Sequence, residues 1–176
     1  MKPLAKGLVI AVVHVGIVAS LGAKLLYDRS TQPRVWAATA PYDPNLPIRG
    51  RYVSLRLAVE PRGITEPPPG AVTQPQSKSV ILRVEGNRLV AEADPQERGY
   101  NPSDLRVQFI QRRGEKLAVL DRPVAFFIPE HIPDPSIRQP DEVLWVEVTI
   151  PKKGAPRPIR LGVKQGDGPI TPLELR

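Results

Sequence analysis

The sequence predicts a mainly β protein, an antiparallel sandwich or a partly open barrel, preceded by one N-terminal transmembrane helix. Three observations predict it. An uncharged apolar run from Gly7 to Ala23 follows Lys2 and Lys6 and ends at Lys24, and no comparable run occurs later. Short stretches of alternating apolar and polar residues then recur roughly every 8–12 residues, the rhythm of a sandwich or barrel. The chain also holds 22 prolines, which disfavour long helices and mark strand ends and loops.

Continued to Leu26, the apolar segment has ~20 residues and spans ~30 Å, the hydrocarbon thickness of a bilayer. Lys24 sits near its end and can reach the headgroups. His14 lies mid-run without an acidic partner in the segment, so it reads as a tolerated neutral residue rather than a proton or metal site. The rival reading is a cleaved signal peptide, with passable sites at Ser20-Leu21-Gly22 and Leu21-Gly22-Ala23. The run exceeds the ~7–15 residues of a signal core, which favours a retained anchor. Flanking charge is nearly balanced, and the short N-terminal tail favours N-in. The expected location is the cell inner membrane, single-pass, with the body on the periplasmic or extracytoplasmic side. Small residues recur four apart at Gly7/Ala11, Gly16/Ser20 and Ala19/Ala23, and Gly16, Ser20 and Ala23 form a candidate helix-packing ridge.

The organisation read from the chain is an anchor at 1–29, a linker at 30–34 and a β domain at 35–176 with a Pro-rich loop at 61–77. About 145 residues after the anchor are one domain's worth, enough for a small core. Val35–Ala40 is the first candidate strand, and Tyr42-Asp43-Pro44-Asn45 a turn. From Gly50 to Val59, the residues Val53, Leu55, Leu57 and Val59 alternate with Tyr52, Ser54, Arg56 and Ala58, so one face is buried. Ser79–Glu85 and Arg88–Ala93 form a hairpin through Gly86-Asn87, a pair suited to positive φ. Leu105–Gln111 and Lys116–Leu120 form a second hairpin, and Val124–Ile128 is an apolar strand. Glu130–Asp141 is Pro-rich, with a single helical turn expected at Pro135–Gln139. In Val143–Ile150, Val143, Trp145, Glu147 and Thr149 share one face, and Leu144, Val146, Val148 and Ile150 the other. Pro158–Lys164 pairs with that strand, and Leu173–Leu175 closes the sheet.

Composition excludes several kinds of chemistry. Without cysteine there is no disulfide, thiolate nucleophile or Cys-ligated metal. Net charge is +7, of which Lys2, Lys6, Lys24 and Arg29 against Asp28 place +3 in the first 30 residues. The body is thus mildly basic with mixed signs. Nucleic-acid binding wants a basic stripe with aromatics, whereas Arg112-Arg113 and Lys152-Lys153 are doublets beside glycines, as in solvated turns. A tethered basic domain is expected to feel a general attraction to anionic lipid headgroups. Glu130, His131 and Asp134 share a loop, but Pro129 and Pro133 make it extended and a poor metal cage. No G-x-S-x-G elbow occurs, and Ser54 with Lys78 lacks the nucleophile motif of a Ser–Lys peptidase. Glu142/Glu147 and Asp94/Glu97 are paired carboxylates without an aromatic groove. No catalytic, cofactor or metal residue is assigned.

The order of motifs resembles the GDYXXLXY family. Ala40-Pro41-Tyr42-Asp43-Pro44, then Arg49-Gly50-Arg51-Tyr52-Val53-Ser54-Leu55-Arg56-Leu57, is similar to that family's P-x-D-P followed by R-G-D-Y-x-x-L-x-Y. Asp43, Pro44, Arg49, Gly50, Tyr52 and Leu55 match; Arg51 stands for the Asp and Leu57 for the final Tyr. Phe126, Phe127, Pro129 and Glu130 resemble its later Y-F-V-P-E segment. The resemblance implies a small bacterial membrane-anchored protein without an established biochemical activity, and relatives that often stand beside multi-spanning membrane proteins. These motif residues read as structure first: a turn at Asp43-Pro44, a strand entry at Gly50 and a mostly buried Tyr52 whose loss costs ~3 kcal/mol or more. The expected function is a non-enzymatic accessory or interaction protein whose partners are the lipid bilayer and a multi-spanning membrane protein. An exported hydrolase and a ligand-binding β module are the alternatives.

Overall fold

Pro3–Thr31 form one continuous helix, α1. Pro3 opens it, where a missing N–H costs nothing, and a run made mostly of Leu, Val, Ile, Ala and Gly carries it on. The last turn closes on itself: Ser30 Oγ and Thr31 Oγ1 donate to the Tyr27 carbonyl at 2.9 and 2.8 Å, and Gln32 N–H donates to Asp28 O at 2.9 Å. Arg29 lies in this turn and complements the helix dipole. In this computed structural model the described residues are 3–41, 52–66, 68, 79–95, 104–112, 114–139, 141–152 and 154–175. They divide into two units, Met1–Gln32 and Pro33–Arg176.

The second unit is built of strands: β1 Arg34–Pro41, β2 Tyr52–Leu57, β3 Glu60–Arg62, β4 Val80–Glu85, β5 Arg88–Ala93, β6 Val107–Arg112, β7 Glu115–Leu120, β8 Val124–Phe127, β9 Glu142–Thr149, β10 Arg157–Gln165 and β11 Thr171–Pro172. Six of them form one antiparallel sheet in the order β11-β10-β9-β1-β2-β8. This sheet curls into a half-barrel, the open-barrel alternative of the expected fold. The register sets Val35 opposite Val148, Ala37 opposite Val146, Thr39 opposite Leu57 and Leu161 opposite Val146. These residues line the core face with Leu55 and Leu144, and all are buried. Thr39 is the polar exception, and its hydroxyl donates to Leu144 O at 2.9 Å. Trp36, Tyr52, Trp145, Glu147, Arg160, Gly162 and Phe127 fall on the opposite, outer face. A bulge between Pro158 and Arg160 absorbs the proline, which lacks a ladder donor.

Two smaller sheets complete the core. β4 and β5 form the expected hairpin, with Gly86 at φ 60°. β3 lies on the other side of β5 and runs parallel to it, a pairing that alternation does not announce. β6 and β7 form the second hairpin, with Gly114 at φ 86°. It joins the large sheet through Val59 N–H to Ala118 O at 3.0 Å and the bridge of Ala58 to Val119. Its Val107, Phe109 and Leu120 are buried beside Leu89 and Ala91 of β5.

Three expectations change. The helical turn expected at Pro135–Gln139 is instead a turn started by Asp134, whose carboxylate accepts from Ser136 N–H at 2.8 Å. Pro140 has no N–H to carry a helical turn onward and disfavours helical backbone at Gln139. The closing strand is Thr171–Pro172 rather than Leu173–Leu175; Leu173 N–H to Leu161 O at 2.9 Å is its last rung. Pro61 and Arg62, assigned to the Pro-rich loop, belong to β3, all three residues of which are exposed, and Ile64 just beyond it packs against the core. Residues 67 and 69–77 of that loop, and the Tyr42–Asn45 turn, lie outside the described residues.

Candidate functional site

The two halves of the sequence signature meet as neighbouring strands. β2 and β8 pair antiparallel, with Tyr52 opposite Phe127, Val53 opposite Phe126 and Leu55 opposite Val124. Some 70 residues of chain separate them, so nothing local in the sequence indicates the contact. Leu55 and Leu57 are fully buried in the core. The Leu at position 57 therefore fills a dry site, where a Tyr hydroxyl would need an acceptor. Tyr52 is more buried than exposed, as expected, without being a core residue. Period-2 geometry places it on the outer face, where its ring leans on Phe127 at 6.2 Å and 58°. Phe127 is 77% exposed, on the edge strand of the sheet. Pro129 and Glu130 are exposed in the turn after β8, where Pro129 O accepts from Ile132 N–H at 3.1 Å. Asp43, Pro44, Arg49, Gly50 and Arg51 lie outside the described residues.

In α1, Gly16, Ser20 and Ala23 are exposed. Ser20 Oγ donates to Ile17 O at 2.8 Å, so the hydroxyl is satisfied within the helix. A Cβ at Gly16 would meet nothing within 4 Å.

A second constellation lies on the outer face of β1, β9 and β10. Trp36, Glu147 and Arg160 stand in one cross-strand row. Arg160 Nε donates to Glu147 Oε2 at 2.6 Å, and its guanidinium lies 5.3 Å from the Trp36 ring centre. Glu147 is only 8% exposed, so this charge is held by its partner and not by water. One row on, Trp145 stands opposite Gly162, and Lys164 Nζ lies 5.8 Å from the Trp145 ring centre. A cleft of ≈ 400 Å³ is lined by Trp36, Trp145, Lys164, Asn87, Pro169 and Ile170 among others. The shared face of Trp145 and Glu147 is legible in the alternation of β9. The arrival of Trp36 beside them is not, because it requires the pairing of β1 with β9.

Among the described residues, no group of three or more His, Asp or Glu side chains is placed to hold a metal ion. Glu130, His131 and Asp134 are all exposed.

A family model described as GDYXXLXY protein matches residues 14–161. The chain belongs to the GDYXXLXY family. The match begins inside α1 and ends in β10, so the GDYXXLXY region takes in more than half of the helix and every strand from β1 to β9. No curated protein and no solved structure matches the chain.

Proposed function

We propose that this GDYXXLXY protein is a single-pass, membrane-anchored accessory protein, with its β domain on the periplasmic or extracytoplasmic side and a multi-spanning membrane protein as its partner. One observation carries the reading. The helix Ala5–Thr31 is long and apolar enough to cross a membrane, and none of its apolar window is buried by the rest of the chain. Leu8, Val12, Val15, Val18, Leu21 and Leu26 are exposed around its circumference. Lipid or another helix supplies the missing cover. The open space over Gly16 lets a second backbone approach closely.

The test is crosslinking in native membranes followed by purification of the full chain, beside a Gly16→Leu/Ser20→Leu variant. The expected result is a recurrent multi-spanning partner whose yield falls severalfold in the variant while insertion is unchanged. Equal yield from both proteins makes the helix an anchor alone.

A further inference from the structure

We propose that the cleft between Trp36, Trp145 and Lys164 binds the phosphate headgroup of an anionic phospholipid; the inference rests on the membrane-anchored reading above. Its walls are apolar and aromatic, from the two indoles with Pro169 and Ile170, and its polar groups are the Lys164 ammonium and the Asn87 side chain. Among the described residues, no carboxylate lines it. The acid of the same face, Glu147, is already held by Arg160, and Asp167 is in the adjoining turn, not in the lining. The site therefore selects for negative charge on a partly apolar ligand.

The Lys164 ammonium, held beside the Trp145 ring, supplies the attraction for a phosphate oxygen.

Covalent geometry favours lipid over a free anion. Five residues lead from Thr31, at the end of α1, to Trp36. An extended chain covers at most ~3.6 Å per residue, so Trp36 stays within ~18 Å of the helix end whatever arrangement the two units take. Trp with Lys is the side-chain combination that collects at the headgroup level of bilayers.

Trp36 and Trp145 are the chain's two tryptophans, so intrinsic fluorescence reports on this cleft alone. The full chain is reconstituted in vesicles of phosphatidylcholine, or of equal parts phosphatidylcholine and phosphatidylglycerol, with a trace of lipid spin-labelled at the headgroup. The expected result is blue-shifted emission and severalfold stronger quenching in the phosphatidylglycerol vesicles, both lost in Lys164→Glu at unchanged melting temperature. Equal emission in the two vesicles overturns the proposal, as does a Lys164→Glu protein that responds like the parent. If inorganic phosphate added to phosphatidylcholine vesicles reproduces the shift, the ligand is a free anion and the lipid assignment falls. Flotation of the same samples separates the two readings. A chain that floats without a lipid-dependent signal keeps its anchor and loses the headgroup site, whereas a chain left at the bottom of the gradient loses the anchor.

Discussion

A Cβ at Gly162 would sit 2.8 Å from Ile170 Cγ2 and 2.9 Å from Trp36 Cζ3. Glycine is required there by the close approach of the Trp36 ring. Gly162→Ala is expected to cost ~1–3 kcal/mol, the usual scale of overpacking, and to shift tryptophan emission as Trp36 is displaced. Thermal melts read together with fluorescence check it; an unchanged emission maximum would mean that Trp36 does not lie on Gly162. At position 57 the prediction concerns the family's own residue. Leu57 is fully buried, so Leu57→Tyr is expected to lower stability by ~1–3 kcal/mol through overpacking, measured by urea unfolding. Tyr52 and Phe127 form an exposed-edge pair, so a double-mutant cycle on Tyr52→Ala and Phe127→Ala should give a coupling of ~0.5–1.5 kcal/mol. A Tyr52→Ala loss below the ~3 kcal/mol of a core aromatic is expected from its place on the outer face. Alternation made Val53, Leu55, Leu57 and Val59 legible as core. It equally places Tyr52 on the other face, where the Phe127 ring supplies part of its cover.

At the scale of elements, local signals were readable and long-range ones were not. Gly86-Asn87 announced the β4–β5 hairpin because the turn needs positive φ at Gly86. Nothing adjacent to Glu60–Arg62 announces a parallel partner, since β3 and β5 are joined through β4 and not by a turn. The candidate cleft is hidden for the same reason: its two tryptophans come from strands more than a hundred residues apart. The small sheet also carries three exposed ion pairs, Arg62–Glu85 at 2.6 Å, Arg83–Glu92 at 2.8 Å and Arg88–Glu60 at 3.2 Å. The hydrogen bond from Arg62 holds the Glu85 carboxyl below the ordinary carboxylate range; desolvation opposes it, and the charges of Arg62, Arg88 and Arg83 add to it. A lowered folded value means that the unfolded state takes up protons first. The pair's contribution is therefore full above the ordinary carboxylate value and is lost as pH falls through the lowered folded one. An NMR titration of the Glu85 carboxylate should show that lowered midpoint, moving back toward the ordinary value in Arg62→Gln and in high salt, because both groups are exposed.

For the whole molecule, the helix and the β class were plain from the outset, since a long apolar run and a repeated two-residue rhythm are local properties of the chain. The strand order was not, because β1 is central and takes its neighbours from opposite ends of the sequence. Full-length mass measured on membrane-extracted protein is expected to include α1, and a mature N-terminus near Ala23 or Lys24 would show cleavage instead. The placement of β1 also sets a timetable for biogenesis. Its partner β9 starts at Glu142, and at synthesis rates of ~5–20 residues per second that strand follows ~5–20 s after β1. Throughout that interval one side of the nascent β1 is an open edge, able to recruit any extended chain nearby. A ribosome stalled before Glu142 should accordingly carry a protease-sensitive chain, and release past Thr149 should bring resistance.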